Sequence, residues 1–106
     1  LWSSAPDEAL LTAAASGALL EPDTVATQAR RMLQDPRARR LAEEFGCAWL
    51  HIHGFPQLDE KSERHFPEFA GLKGAMYEES ILVFTDLFQN NRPVVSLLDS
   101  DATFLN

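Results

Sequence analysis

Residues 37–52 read Arg37-Ala38-Arg39-Arg40-Leu41-Ala42-Glu43-Glu44-Phe45-Gly46-Cys47-Ala48-Trp49-Leu50-His51-Ile52. Ala38, Leu41, Ala42, Phe45, Ala48, Trp49 and Ile52 recur at steps of three and four, which gathers side chains on one face of an α-helix. So wide an apolar face must be buried against neighbours, and the stretch predicts a packed helix with Phe45 and Trp49 as core anchors. Gly46 costs about 1 kcal/mol against alanine in a helix interior, a cost explained if the missing side chain allows a close helix crossing. Arg37, Arg39 and Arg40 form a basic cluster that Glu43 and Glu44 can pair along the helix, so the polar side reads as solvated and ion-paired rather than as an anion site.

Working outward, Asp35-Pro36 is a sharp boundary. A proline disfavours helical geometry in the residue ahead of it, which leaves Asp35 to cap the helix that follows. The helix before it starts near residue 22 at Glu21-Pro22-Asp23, carries Val25, Ala29, Met32 and Leu33 as a stripe, and sets Arg30 and Arg31 near its negative end. Earlier still, Ser4-Ala5-Pro6-Asp7 announces a first helix over residues 5–16 with Ser4 as N-cap, and Gly17 supplies the left-handed residue that closes it.

Downstream, residues 53–71 lose periodicity. Gly54, Pro56 and Pro67 interrupt the pattern, charged residues fill 59–64, and Phe55, Phe66 and Phe69 punctuate it. The segment is expected to be a long surface loop pinned by its phenylalanines, and loops of this length are the first place to look for binding. A fourth helix spans about 72–89, with Leu72, Ala75, Met76, Leu82, Val83 and Leu87 on one side and Tyr77, Ile81, Phe84 and Phe88 beside them. Asn90 and Asn91 turn the chain, and Pro93 opens a short final helix over 94–98.

No stretch alternates polar and apolar residues long enough to make a sheet, and no sequence pattern repeats. The expected fold is therefore all-α, a compact bundle or orthogonal array of four to five helices with one long loop. At 106 residues with 45% hydrophobic side chains, the chain has the size and apolar content of one domain. A formal charge of −7 repels a phosphate backbone and argues against nucleic-acid binding. No run reaches the roughly 18 apolar residues of a membrane span, and no signal-peptide pattern opens the segment. The single cysteine, Cys47, forms no internal disulfide, and no Cys-x-x-Cys-His run exists to attach haem, so no cofactor is expected in this segment.

Four candidate sites stand out, each beside a plainer reading. Cys47 and His51 would share a face of a continuing helix, with His53, His65 and the intervening Glu60 and Glu63 nearby, a set that could bind zinc or copper. The spacing fits no standard zinc pattern, however, and a buried cysteine beside surface histidines is the commoner outcome. Glu79 falls on the apolar side of the fourth helix, where a carboxylate is costly unless Arg30, Arg31 or Arg40 meets it; a buried ion pair is the plain reading and a general acid or base the sharper one. Asp99, Asp101, Asp59 and Glu60 offer oxygen ligands but lack the glycine and distal glutamate of a calcium loop, and read as helix caps. Trp2, Phe104 and Leu105 near the chain ends would form an apolar docking patch.

Leu1-Trp2-Ser3-Ser4-Ala5-Pro6-Asp7, the run from Gln28 to Arg37, Trp49-Leu50 and Thr103-Phe104-Leu105-Asn106 together resemble one known group. It is the planctomycete cytochrome-c-associated domain of unknown function 1592, a PSD-type module of large exported proteins. The resemblance implies an extracytoplasmic setting beside c-type haem domains and an excised piece of a larger multidomain protein; it carries no catalytic residue. His51 and His53 depart from the family, which is more often aliphatic or basic there. The expected function is a non-catalytic scaffold or protein-interaction module whose partners are neighbouring domains or another protein. The alternative is an accessory part of an extracytoplasmic enzyme or electron-transfer assembly with its reactive groups elsewhere.

Overall fold

In the computed structural model, which describes residues 1–58 and 64–104, every regular element is helical. Helix α1 spans Glu8–Ala15, α2 Pro22–Gln34, α4 Phe69–Gln89 and α5 Ser96–Asp99; α3 is a composite rod over residues 36–49. Single 3-10 turns at Ala18–Leu20 and Phe55–Gln57 join them. The all-α class is as expected, and among the described residues there is no strand.

Helix starts follow from side chains that satisfy orphan amides. α1 begins later than expected because Asp7, not Ser4, is its N-cap: the Asp7 carboxylate accepts from the Leu10 amide at 3.0 Å, while the Ser4 hydroxyl only reaches its neighbour's carbonyl at 3.5 Å. Gly17, at φ +75°, follows the end of α1 as expected. Asp35 caps α3 with its carboxylate on the Arg37 amide at 2.9 Å. The final helix is Ser96–Asp99, shifted from the expected 94–98.

α3 is not one regular helix. It passes from a 3-10 turn, Pro36–Ala38, through one α turn into a π-helical stretch, Ala42–Gly46, and back to α at Cys47–Trp49. His51, at φ +56°, then closes it: its amide bonds Ala48 O at 3.1 Å and the Ile52 amide bonds Cys47 O at 2.9 Å, the paired bonds of a Schellman ending.

The buried face of α3 is a line of small residues, Ala38, Ala42, Gly46 and Cys47. α4 lies across it, burying Ile81 and Phe84, with Ile52, Tyr77, Phe88 and Leu97 packed around them. A Cβ on Gly46 would stand 2.7 Å from Cγ and Cδ2 of the Phe84 ring, so the missing side chain at this glycine makes room for a ring of α4. The expected role of Phe45 and Trp49 is overturned: they are 53% and 54% exposed. The Phe84 ring of α4 takes the space over Gly46, so the two aromatics of α3 sit at the edge of the seam. There they stack on each other at 6.4 Å and meet Phe88 and Phe84 edge-on at 6.2 Å. On α4 the core line is Tyr77, Ile81, Phe84 and Phe88, while Leu72 and Met76 of the other apolar side are exposed.

Of the expected loop 53–71, α4 takes the last three residues, the Phe55 and Phe69 rings meet edge-on at 5.9 Å, and Lys73 Nζ holds Leu58 O at 3.0 Å. Residues 59–63 lie outside the described part.

The assembly is drawn out rather than compact. It measures 62 × 28 × 21 Å with a Cα radius of gyration of 17.7 Å, against about 13 Å for a compact chain of this length. Its solvent-accessible surface is 7713 Å², against roughly 5,900 Å² for a compact protein of this mass. A core this thin leaves much apolar surface uncovered.

Candidate functional apolar groove

The corner where α2 meets α3 is built to hold the chain start. Pro36 has no N–H, so the Met32 carbonyl loses its usual helical partner. The Asp35 amide reaches that carbonyl at 3.3 Å and the Trp2 indole adds the shorter bond, donating from Nε1 to Met32 O at 2.8 Å, while the Arg37 guanidinium caps the ring 3.6 Å from its centre. Arg31 grips Asp7 through two bonds of 2.6 and 3.0 Å, and Arg37 likewise grips Asp35. These partners hold both carboxyls below the usual range, Asp35 at about 2, chiefly through the guanidinium bonds. Trp2 is 3% exposed, which corrects its expected place in a docking patch: it is an internal pin. Phe104 is half-buried over α4, and Leu105 lies outside the described residues.

The ion pair expected at Glu79 is also corrected. Arg31 is engaged by Asp7, Arg30 is exposed and Arg40 leans on Glu43 at 3.4 Å. Glu79 instead accepts from the Thr103 hydroxyl. Its neighbour Glu78 takes the cross-helix partner, receiving two bonds from Arg39 at 2.6 and 2.7 Å while Arg39 also reaches Glu43 at 2.8 Å. One residue is about 100° of helical rotation. Sequence spacing places both glutamates beside the apolar stripe, and only the neighbouring helix decides which one faces an arginine.

The metal set does not converge. Cys47 is fully buried and its thiol donates to the Tyr77 hydroxyl at 3.4 Å. Contact with Cys47 and burial push the Tyr77 phenol up to about 12, so it stays neutral. His51 leaves the face of Cys47 because the helix ends before it in a left-handed turn; His53 and His65 are at the surface. Glu60 and Glu63 lie outside the described residues. Among the described residues no three of His, Cys, Asp and Glu gather where an ion could be held.

What the fold does assemble is a groove of about 670 Å³ between the end of α3, the middle of α4 and α5. Trp49 and Leu50 make one wall, Val83 and Phe84 the floor, and Val94, Val95 and Leu98 the other wall. Every wall residue is well exposed, Leu98 to 89% and Val94 to 63%. Ser80 is the one polar lining group, so the groove offers burial of apolar surface rather than acid–base chemistry. Sequence reading missed it because its walls come from three separate elements. The one signal was a run of four apolar side chains, Val94, Val95, Leu97 and Leu98, too many for so short a helix to bury.

No helix among the described residues is long and apolar enough to cross a membrane. No curated protein and no solved structure matches the chain. A family described as PSD4, protein of unknown function (DUF1592), matches residues 1–106. With that match running over all its 106 residues, the chain belongs to the PSD4 family of proteins of unknown function (DUF1592).

Proposed function

We propose that this chain is a non-catalytic helical interaction module, and that its apolar groove receives a neighbouring domain or another protein. The observation that carries the reading is the groove, whose walls stand in water although their side chains are those of a core. Monomers rarely leave contiguous apolar surface of this kind uncovered unless something docks there. The surplus of roughly 1,800 Å² over a compact protein of equal mass exceeds the ~800 Å² that each partner of a standard interface contributes. The larger exported, haem-c-associated protein implied by the four resembling segments is part of this proposal and rests on the resemblance alone.

Oxidative footprinting of the native assembly against the isolated chain tests the docking reading. Trp49 and Leu98 are expected to be protected in the assembly, while Leu20, 86% exposed and outside the groove, labels equally in both. Equal labelling of Trp49 and Leu98 in both samples would remove the proposal. Fractionation placing the native protein in the cytoplasm would remove its exported setting.

A further inference from the structure

The groove has an electrostatic border that narrows what fits it. From residue 74 onward the sequence carries Glu78, Glu79, Asp86, Asp99 and Asp101 against one cation, Arg92. Arg92 is spent on Asp86, and Glu78 is taken by Arg39. Among the described residues no cation pairs with Asp99 or Asp101. Both line a depression, with Asp86 and its partner Arg92, that shares Val83 with the floor of the groove. Five of the nine cations sit instead at residues 30–40, where Arg31, Arg37, Arg39 and Arg40 hold Asp7, Asp35, Glu43 and Glu78 and Arg37 caps Trp2. The apolar groove is therefore flanked by net negative charge, carried by Asp99 and Asp101.

We infer that the groove is the receptor for a cationic amphipathic helix of a partner polypeptide, its apolar stripe on Trp49, Val83 and Leu98 and its Lys or Arg residues over Asp99 and Asp101. This inference rests on the interaction-module reading and names the partner's chemistry. A small apolar ligand would fill the floor but leave the outer faces of Val94 and Leu98 wet, whereas a rod lying along the groove covers them. An i, i+3, i+4, i+7 stripe is the matching surface. A second copy of the chain would bring another −7 and the same two aspartates to the seam, so like charges oppose that occupant.

The probe is a synthetic helix of about 18 residues, roughly five turns, with leucine at the stripe positions and lysine elsewhere, beside a twin with glutamate in place of lysine. Trp2 is buried, so a change in tryptophan emission reads Trp49. The lysine peptide is expected to bind saturably with a blue shift, and the glutamate twin not to bind. Leu98→Asp should abolish binding; because it adds negative charge, non-specific attraction of a cationic peptide would instead strengthen. Leu98 is 89% exposed, so the variant should stay folded, which circular dichroism checks. Asp99→Asn with Asp101→Asn should weaken binding roughly tenfold and flatten its salt dependence.

The inference is overturned by equal binding of the two peptides, by no binding of either, or by binding that survives Leu98→Asp. Concentration-dependent dimers that Leu98→Asp dissolves would assign the groove to a second copy and overturn it as well. If the native footprint protects Leu98 while the lysine peptide fails to bind, the module reading stands and this partner chemistry falls.

Discussion

At the residue scale, single side chains do the fastening, and their partners explain the corrections. Trp2 gives the Met32 carbonyl, which Pro36 leaves with only the longer bond from the Asp35 amide, its short donor, so its burial follows from a defect thirty residues away. Trp2→Phe keeps most of the ring's packing but leaves that carbonyl with only the Asp35 amide, and should cost about 0.5–1.5 kcal/mol; urea denaturation of the two proteins measures it, and an unchanged midpoint would refute the pin. The carboxylates of Asp7, Asp35 and Glu78 are all held below their ordinary values by arginines. A depressed folded-state value stabilises above the unfolded value and loses that contribution as pH falls through the folded one. The urea midpoint should therefore stay level down to about pH 5 and fall between about pH 4 and 2, with a lower plateau and a shallower fall in Asp35→Asn.

At the scale of elements, the seam between α3 and α4 decides what is buried. Gly46 lets the Phe84 ring come close, Ala42 joins the same cluster, and the larger Phe45 and Trp49 are displaced to the rim. Gly46→Ala would gain up to about 1 kcal/mol of helix propensity but drive a methyl into the Phe84 ring, an overpacking cost of about 1–3 kcal/mol, so net destabilisation is expected. Gly74, inside α4, has nothing within 4 Å of its would-be Cβ, so Gly74→Ala should change stability in the opposite direction. Thermal melts of both variants check the contrast, and equal signs would show that the crossing is not tight. The spacing of Ala38, Ala42 and Gly46 was in the sequence, but a reading weighted by side-chain size looked past it to the aromatics.

At the scale of the molecule, a drawn-out array of helices leaves apolar walls in water. Small-angle scattering of the isolated chain should give a radius of gyration near the 17.7 Å of its Cα atoms, well above the ~13 Å of a compact fold; a value near the latter would mean that the groove closes on itself. What the sequence determined by itself was local: the helical class, the Asp35-Pro36 and Gly17 boundaries and the tight site at Gly46. Each follows from periodicity, proline geometry or the absence of a side chain, which act within a few residues. Only the tertiary structure decided that Trp2 is buried, that Glu78 rather than Glu79 meets an arginine, and that Trp49, Val83 and Leu98 share a groove. Those outcomes depend on the rotation and distance of one helix against another, and a one-residue step along a helix turns a side chain by about 100°, enough to change its partner.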